Sequence, residues 1–76
     1  ADIITPNQFE AESLSDIKIK KSEDLKTAAE FFHNLGVKIV IITGVKLKDR
    51  SADALYVFIS ADNVFSLIKV KEYVFE

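Results

Sequence analysis

Residues 37–43 read Val-Lys-Ile-Val-Ile-Ile-Thr, a β-branched and almost continuously apolar run. Such a run is typical of an interior strand that is covered on both faces. A second apolar stretch, Ile3-Ile4, lies near the start of the chain, and residues 2–5 are predicted to be the end of another strand. Because helical patterns separate the two strands, the sequence predicts a βαβ unit with a parallel crossover. The predicted fold class is therefore α/β.

The first predicted helix spans residues 6–14. Pro6 suits the first helical position because the N–H it lacks would be unsatisfied there. Thr5 can cap the same turn with its hydroxyl, and Gln8, three residues later, completes a predicted capping box. The junction of strand and helix at residues 5–12 is the place where α/β proteins commonly bind ligands.

A second helix is predicted to start at Ser22, with two acidic residues in its first turn, and to end at Gly36. Residues 46–51 are polar and predicted to form a loop. Residues 55–60 and 64–70 are strand-like and flank turn-forming residues, so they are expected to pair as a β-hairpin. We interpret residues 1–76 as a single partial domain, because the tail is still apolar where the chain stops.

The composition limits the classes of partner. Of 76 residues, 49% are hydrophobic, which is rich for so small a domain and suggests that some apolar surface requires a neighbour. A formal net charge of −2 gives no field that would attract nucleic acid or an anionic membrane, so neither partner is expected. The chain has no cysteine, which excludes thiolate metal sites and fits a reducing compartment.

Asn7 and Glu10 are the first candidate site residues. They lie three apart on one face of the first predicted helical turn, at the positive end of that helix. Backbone N–H groups at such an end favour a phosphate. An amide and a carboxylate beside a phosphate indicate a nucleotide and a metal ion. Read without further information, the same two residues more often serve only as helix caps.

The segment Ile-Ile-Thr-Pro-Asn-Gln-Phe-Glu-Ala-Glu at residues 3–12 closely resembles the segment of pyridoxal kinases, in the ribokinase-like superfamily, that carries their Asn-x-x-Glu motif. Val-Ile-Ile-Thr at residues 40–43 follows at a suitable distance. The resemblance runs through most of the chain and weakens after Gly44. It implies a fragment of a three-layer ribokinase-like fold, a βαβ unit followed by a β-hairpin.

The resemblance implies a role for five residues. Asn7 matches a contact to nucleotide phosphate, and Glu10 matches the residue that holds the metal directly or through water. Thr5 lies in the same cation environment. Thr43 matches a hydroxyl contact to ATP phosphate. Gly44 stands where many pyridoxal kinases have serine, so its contact would come from the backbone.

The implied activity is transfer of the ATP γ-phosphoryl group to the hydroxymethyl oxygen of pyridoxal, pyridoxine or pyridoxamine. The implied cofactors are ATP and Mg²⁺, with a monovalent cation as an additional candidate. The parent protein is expected to be a cytoplasmic homodimer that binds ATP and a vitamin B6 vitamer. The Gly-Thr-Gly-Asp segment that carries the family's catalytic base is not in this sequence, whose only glycines are Gly36 and Gly44. The isolated chain is therefore predicted to be inactive, with no catalytic residue of its own.

Two other hypotheses remain at this stage. Hydroxymethylpyrimidine kinases share the superfamily and a related Thr-Pro-Asn segment. A non-catalytic interaction module that binds a partner through exposed apolar strands would also fit the apolar composition. Elsewhere, His33 is explained by a favourable charge at a helix end, and the aromatic residues of the hairpin are interpreted as cross-strand pairs.

Overall fold

A computed structural model of the chain describes residues 2–48, 54–62 and 64–72. The described elements, in chain order, are β1 (Ile3–Ile4), α1 (Gln8–Ser15), α2 (Ser22–Asn34), β2 (Ile39–Val45), β3 (Ala54–Ala61) and β4 (Val64–Glu72). The strands form one sheet in the order β1-β2-β3-β4. Residues 49–51 of the predicted loop and residues 73–76 of the tail lie outside the described residues.

The pairing confirms both predicted units. β1 and β2 are parallel, with Ile3 opposite Ile39, so the two strands and the intervening helices form the βαβ unit. β2 pairs antiparallel with β3, and β3 pairs antiparallel with β4, which is the predicted hairpin. The β2 and β3 register shifts between Ile42 and Val45, so the strand is irregular around Gly44.

The start of α1 differs from the prediction. The N-cap is Asn7, with φ −78° and ψ 174°, and the capping box joins Asn7 to Glu10 rather than Thr5 to Gln8. Pro6 is not in the helix, because its carbonyl accepts a hydrogen bond from the Thr43 N–H at 3.0 Å and so belongs to the extended strand edge. The helix therefore begins two residues later than predicted.

The ends of α2 follow the sequence closely. At its start, the Asp24 carboxylate accepts hydrogen bonds from the backbone N–H groups of Lys20 and Lys21, at 2.9 and 3.1 Å. At its end, the Gly36 N–H donates to the His33 carbonyl and the Val37 N–H donates to the Phe32 carbonyl. This is a Schellman motif, and it needs the positive φ of 98° that Gly36 adopts.

Asp24 makes acid stability testable. Hydrogen bonds from the Lys20 and Lys21 amides lower the pKa of the Asp24 carboxyl from its ordinary value of 3.8. A carboxyl whose pKa is lower in the folded than in the unfolded state stabilises the folded protein at pH values above its unfolded-state pKa. This stabilisation is lost as the pH falls through the folded-state pKa. We expect Asp24→Asn to weaken the loss of stability below about pH 4, measured by urea denaturation across pH. Glu23→Gln, which removes a charge from the same turn without touching those amides, should change it less; an equal change would contradict this assignment.

The hydrophobic core lies between the helices and one face of the sheet. Buried side chains of the helices, such as Leu25 and Phe32, form one cluster with Val40 and Ile42 of β2 and Phe58 of β3. Because side chains alternate along a strand, Ile39 and the other intervening residues of β2 point to the opposite face. They are only partly buried. The prediction that this strand is covered on both faces is therefore not met within the described residues, because both helices pack on the same side.

His33 connects the end of α2 to the sheet. Its Nδ1 lies 2.7 Å from the Val37 carbonyl oxygen and its Nε2 lies 2.8 Å from the Ser60 hydroxyl oxygen. A carbonyl can only accept, so Nδ1–H donates to Val37, and Nε2 forms the hydrogen bond with the buried Ser60 hydroxyl. His33 is thus explained by these two bonds as well as by its place at a helix end.

Of the hairpin aromatics predicted to pair across strands, namely Tyr56, Phe58, Phe65 and Tyr73, the structure shows one contact, and Tyr73 lies outside the described residues. The rings of Phe58 and Phe65 are stacked, with centroids 6.0 Å apart and planes 17° apart.

Within the described ranges, no helix is long and apolar enough to cross a membrane.

Candidate functional site

The candidate site lies where the parallel strands β1 and β2 end. Asn7 forms an isolated parallel bridge with Thr43, and the Thr43 N–H donates to the Pro6 carbonyl at 3.0 Å. The predicted residues Asn7 and Thr43, far apart in the chain, are therefore neighbours at the carboxyl edge of the sheet. Open α/β sheets bind ligands at this edge.

Asn7 and Glu10 hold each other through two reciprocal hydrogen bonds. The Asn7 Oδ1 accepts from the Glu10 N–H at 2.8 Å, and the Glu10 Oε1 accepts from the Asn7 N–H at 3.0 Å. Both side chains are exposed. Each uses one polar atom in the cap, and among the described residues no partner is bound to Asn7 Nδ2 or Glu10 Oε2. The cap therefore orients one amide donor and one carboxylate oxygen toward solvent.

Gly44 places backbone next to this cap. Its φ is +61°, a conformation that glycine adopts without strain, and it is exposed. Gly44 lines a shallow depression of about 270 Å³ together with the N-cap Asn7 and three residues in the N-terminal half of α1, namely Gln8, Phe9 and Glu12. A serine at this position would have to adopt the same left-handed conformation, which L-residues rarely adopt without strain.

The first turn of α1 contributes positive electrostatic potential to the depression. The N–H groups of Gln8 and Phe9 lie in the first turn, so the helix contains no carbonyl four residues earlier to accept from them. No side chain in the described part of the chain accepts from them either. These donors and the helix dipole favour an anion. The geometry thus suits a phosphate group beside Asn7 and Gly44.

Thr5 and Glu10 are the residues that could hold a cation. A hydroxyl and a carboxylate are hard oxygen donors, which is the ligand chemistry that Mg²⁺ prefers. Thr5 is exposed immediately before Pro6. Within the described ranges, no three His, Cys, Asp or Glu side chains are grouped so that they could hold a metal ion. Magnesium commonly takes one or two carboxylates and completes its shell with water and substrate phosphates, so this donor set fits a partial magnesium site.

Gln8 is the residue whose place the sequence did not indicate. Its side chain amide, predicted to complete a capping box, instead bonds to the backbone of Lys46 and Ile19. Lys46 is 38 residues away, so no local pattern could have revealed the contact.

A larger cavity, of about 480 Å³, lies beside His33 and Ser60. It is lined by Val37 and Lys38, just before β2 begins, and therefore opens at the opposite edge of the sheet from Asn7. None of the predicted site residues lines it. We assign the site to the smaller depression, because Asn7, Gly44 and the start of α1 line it, with Glu10 bound to Asn7 at its side.

The sequence profile of the family described as phosphomethylpyrimidine kinase matches residues 1–73. The chain belongs to this family. A pyridoxal kinase from Dictyostelium discoideum is 42% identical over 57 residues, which make up 75% of this chain and 19% of that protein. A hydroxymethylpyrimidine/phosphomethylpyrimidine kinase from Aquifex aeolicus is 48% identical over 56 residues, covering 72% of this chain and 22% of that protein.

The solved structures that this chain resembles are kinases of the same kind as these relatives. A pyridoxal kinase from Staphylococcus aureus in complex with AMP-PCP superposes with a TM-score of 0.79 at 32% identity, over 97% of this chain and 26% of that one. The resemblance to pyridoxal kinases and the ribokinase-like α/β fold are thereby confirmed. The chain spans about a fifth of the length of the curated relatives and about a quarter of the solved chain.

Proposed function

We propose that this chain supplies the nucleotide-phosphate and metal contacts of an ATP-dependent kinase that phosphorylates the hydroxymethyl group of a vitamin B6 vitamer. The observation that carries the proposal is the bridge between Asn7 and Thr43, which joins the first turn of α1 to the end of β2. The complex of the Staphylococcus aureus pyridoxal kinase with an ATP analogue supports the nucleotide as ligand.

Each site residue has a role in this proposal. Asn7 Nδ2 donates to a phosphate oxygen, as do the Thr43 hydroxyl and the Gly44 N–H. Glu10 Oε2 holds Mg²⁺ directly or through water, and Thr5 lies in the same cation environment, which can also include a monovalent cation. Magnesium would neutralise the negative charge on the ATP phosphates.

The reaction requires positioning more than covalent participation by the protein. The hydroxymethyl oxygen of the vitamin attacks the γ-phosphorus, and the bond from that phosphorus to the β–γ bridging oxygen breaks to release ADP. Donors such as Asn7 Nδ2 bind the phosphate oxygens over which the charge spreads. The base that takes the hydroxyl proton belongs to a part of the parent protein outside this chain, so we expect residues 1–76 alone to be inactive.

The alternative substrate is hydroxymethylpyrimidine. The similarity to the Aquifex aeolicus kinase favours it, at 48% identity over 56 residues. Both substrates carry a hydroxymethyl group on a nitrogen heterocycle, and the phosphate and metal contacts proposed here would be the same for either. We place the parent protein in the cytoplasm as a homodimer, as part of the same proposal.

Substrate and activity can be tested together. We expect the full-length protein that contains this chain to convert ATP to ADP in the presence of pyridoxal and Mg²⁺, with a kcat/KM for pyridoxal at least roughly tenfold above that for hydroxymethylpyrimidine. The coupled assay measures ADP with each substrate at several concentrations. The reverse preference would favour the pyrimidine, and no ADP with either substrate would contradict the kinase and favour a non-catalytic module.

A further inference from the structure

The Gln8 side chain is bound to the backbone at three points. Its Nε2 donates to the Ile19 carbonyl at 2.8 Å and to the Lys46 carbonyl at 3.1 Å, and its Oε1 accepts from the Lys46 N–H at 2.9 Å. One half-buried amide therefore pairs with both polar groups of the Lys46 backbone, as a neighbouring strand would. It also ties the segment after β2 to the connection that follows α1.

Gly44 lies between this contact and another. Before it, the Thr43 N–H is bound to the Pro6 carbonyl at 3.0 Å. After it, the backbone N–H and C=O of Lys46 both form hydrogen bonds with the Gln8 side chain. An added Cβ at Gly44 would meet nothing within 4 Å, so side-chain packing does not hold this exposed glycine in place. Its position against the first turn of α1 depends on its chain neighbours: the two flanking backbone contacts, and the buried Val45, which pairs with Tyr56 of β3.

We propose that Gln8 is a positioning residue for the nucleotide-phosphate site. By holding Lys46, its amide keeps the Gly44 N–H and the Thr43 hydroxyl at a set distance from Asn7, so that a phosphate meets preorganised donors. Preorganisation raises affinity because ordering the segment costs less when the ligand binds. This inference rests on the proposed kinase function.

The test uses Gln8→Met in the full-length protein. Methionine matches glutamine in length and carries no charge, so it removes the three hydrogen bonds without changing the net charge beside the phosphates. We expect the KM for ATP and the Kd for AMP-PCP, measured by calorimetry, to rise roughly tenfold, while the KM for the vitamin changes less than about twofold. Backbone amide exchange at Lys46 should also become faster.

A second variant and a control keep the outcome interpretable. Gln8→Asn keeps a neutral amide but withdraws it by one methylene, and it should shift ATP binding in the same direction. Ser15→Ala removes another hydrogen bond of α1, from the Ser15 hydroxyl to the Ala11 carbonyl at 2.6 Å, and should leave both KM values unchanged.

Wild-type AMP-PCP affinity in both Gln8 variants would overturn the inference while leaving the kinase proposal standing. An equal rise in the KM for ATP and for the vitamin, shared by Ser15→Ala, would also overturn it, because it would indicate general loosening of the fold. If the wild-type protein neither binds AMP-PCP nor forms ADP, the proposed function fails and the inference fails with it.

Discussion

Glu10→Gln should lower the kcat/KM of the full-length protein by roughly ten- to a hundredfold while leaving its melting temperature close to that of wild type. The glutamine oxygen can still accept the hydrogen bond that the Asn7 N–H donates to Glu10 Oε1 at 3.0 Å, because Gln serves at this position of a capping box as Glu does. What the substitution removes is the negative charge on the exposed carboxylate. A loss of activity without a loss of stability would therefore show that Glu10 acts as a metal contact and not only as a helix cap.

The measurement is a magnesium titration of activity at saturating ATP and vitamin. If Glu10 holds Mg²⁺, the variant should need a higher magnesium concentration for half-maximal rate, and excess magnesium should restore part of the activity. Glu30→Gln is the matched control, since it removes an exposed carboxylate from α2 outside the candidate site. An unchanged rate and magnesium dependence in Glu10→Gln would reduce Glu10 to a capping residue.

Leu25→Ala should reduce the free energy of unfolding by about 2–5 kcal/mol. Leu25 is fully buried on the inner face of α2, in one cluster with Val40 and Ile42 of the central strand. Truncation removes buried methyl groups and leaves a cavity that the packed helix and sheet can only partly close. Because whole domains are stable by roughly 5–15 kcal/mol, this single change should remove a large part of the total.

Urea denaturation followed by circular dichroism checks this expectation. Leu14→Ala is the matched control: the same substitution in α1, at a leucine that is 62% exposed. We expect the control to change the free energy of unfolding by less than about 1 kcal/mol. If the two variants lost equal stability, Leu25 would not be the buried contact between α2 and the sheet that the fold assigns to it.

The type and order of the elements with strong local patterns were predicted correctly, although β2 spans Ile39–Val45 rather than residues 37–43. The β-branched run of β2, the acidic start of α2 and its Gly36 terminus each depend on preferences that residues express within a few positions. Wrong predictions occurred where two interactions compete for one residue. Pro6 suits a helix start, but its carbonyl is bound by Thr43, and Asn7 therefore caps the helix instead.

The candidate site was predicted in part. Asn7, Glu10, Thr43 and Gly44 were named from residues 3–12 and 40–44, and the structure brings Asn7, Thr43 and Gly44 to one edge of the sheet. Their roles toward phosphate and metal remain predictions, as does that of Thr5. The local pattern predicts that Gln8 completes a capping box. Its bonds to Lys46 join residues 38 positions apart, so no local pattern indicates them.

The sequence by itself determined the α/β class, the order of the elements and the resemblance to pyridoxal kinases, because periodicity, capping and a contiguous motif are all local properties of the chain. Only the tertiary structure decided where α1 begins, which face of the sheet the helices cover and how Gly44 is held beside Asn7. Those outcomes depend on hydrogen bonds and packing between segments that are distant in sequence. To the phosphate site that the sequence predicts at residues 5–12, the tertiary structure adds the end of β2, which brings Thr43 and Gly44 beside Asn7.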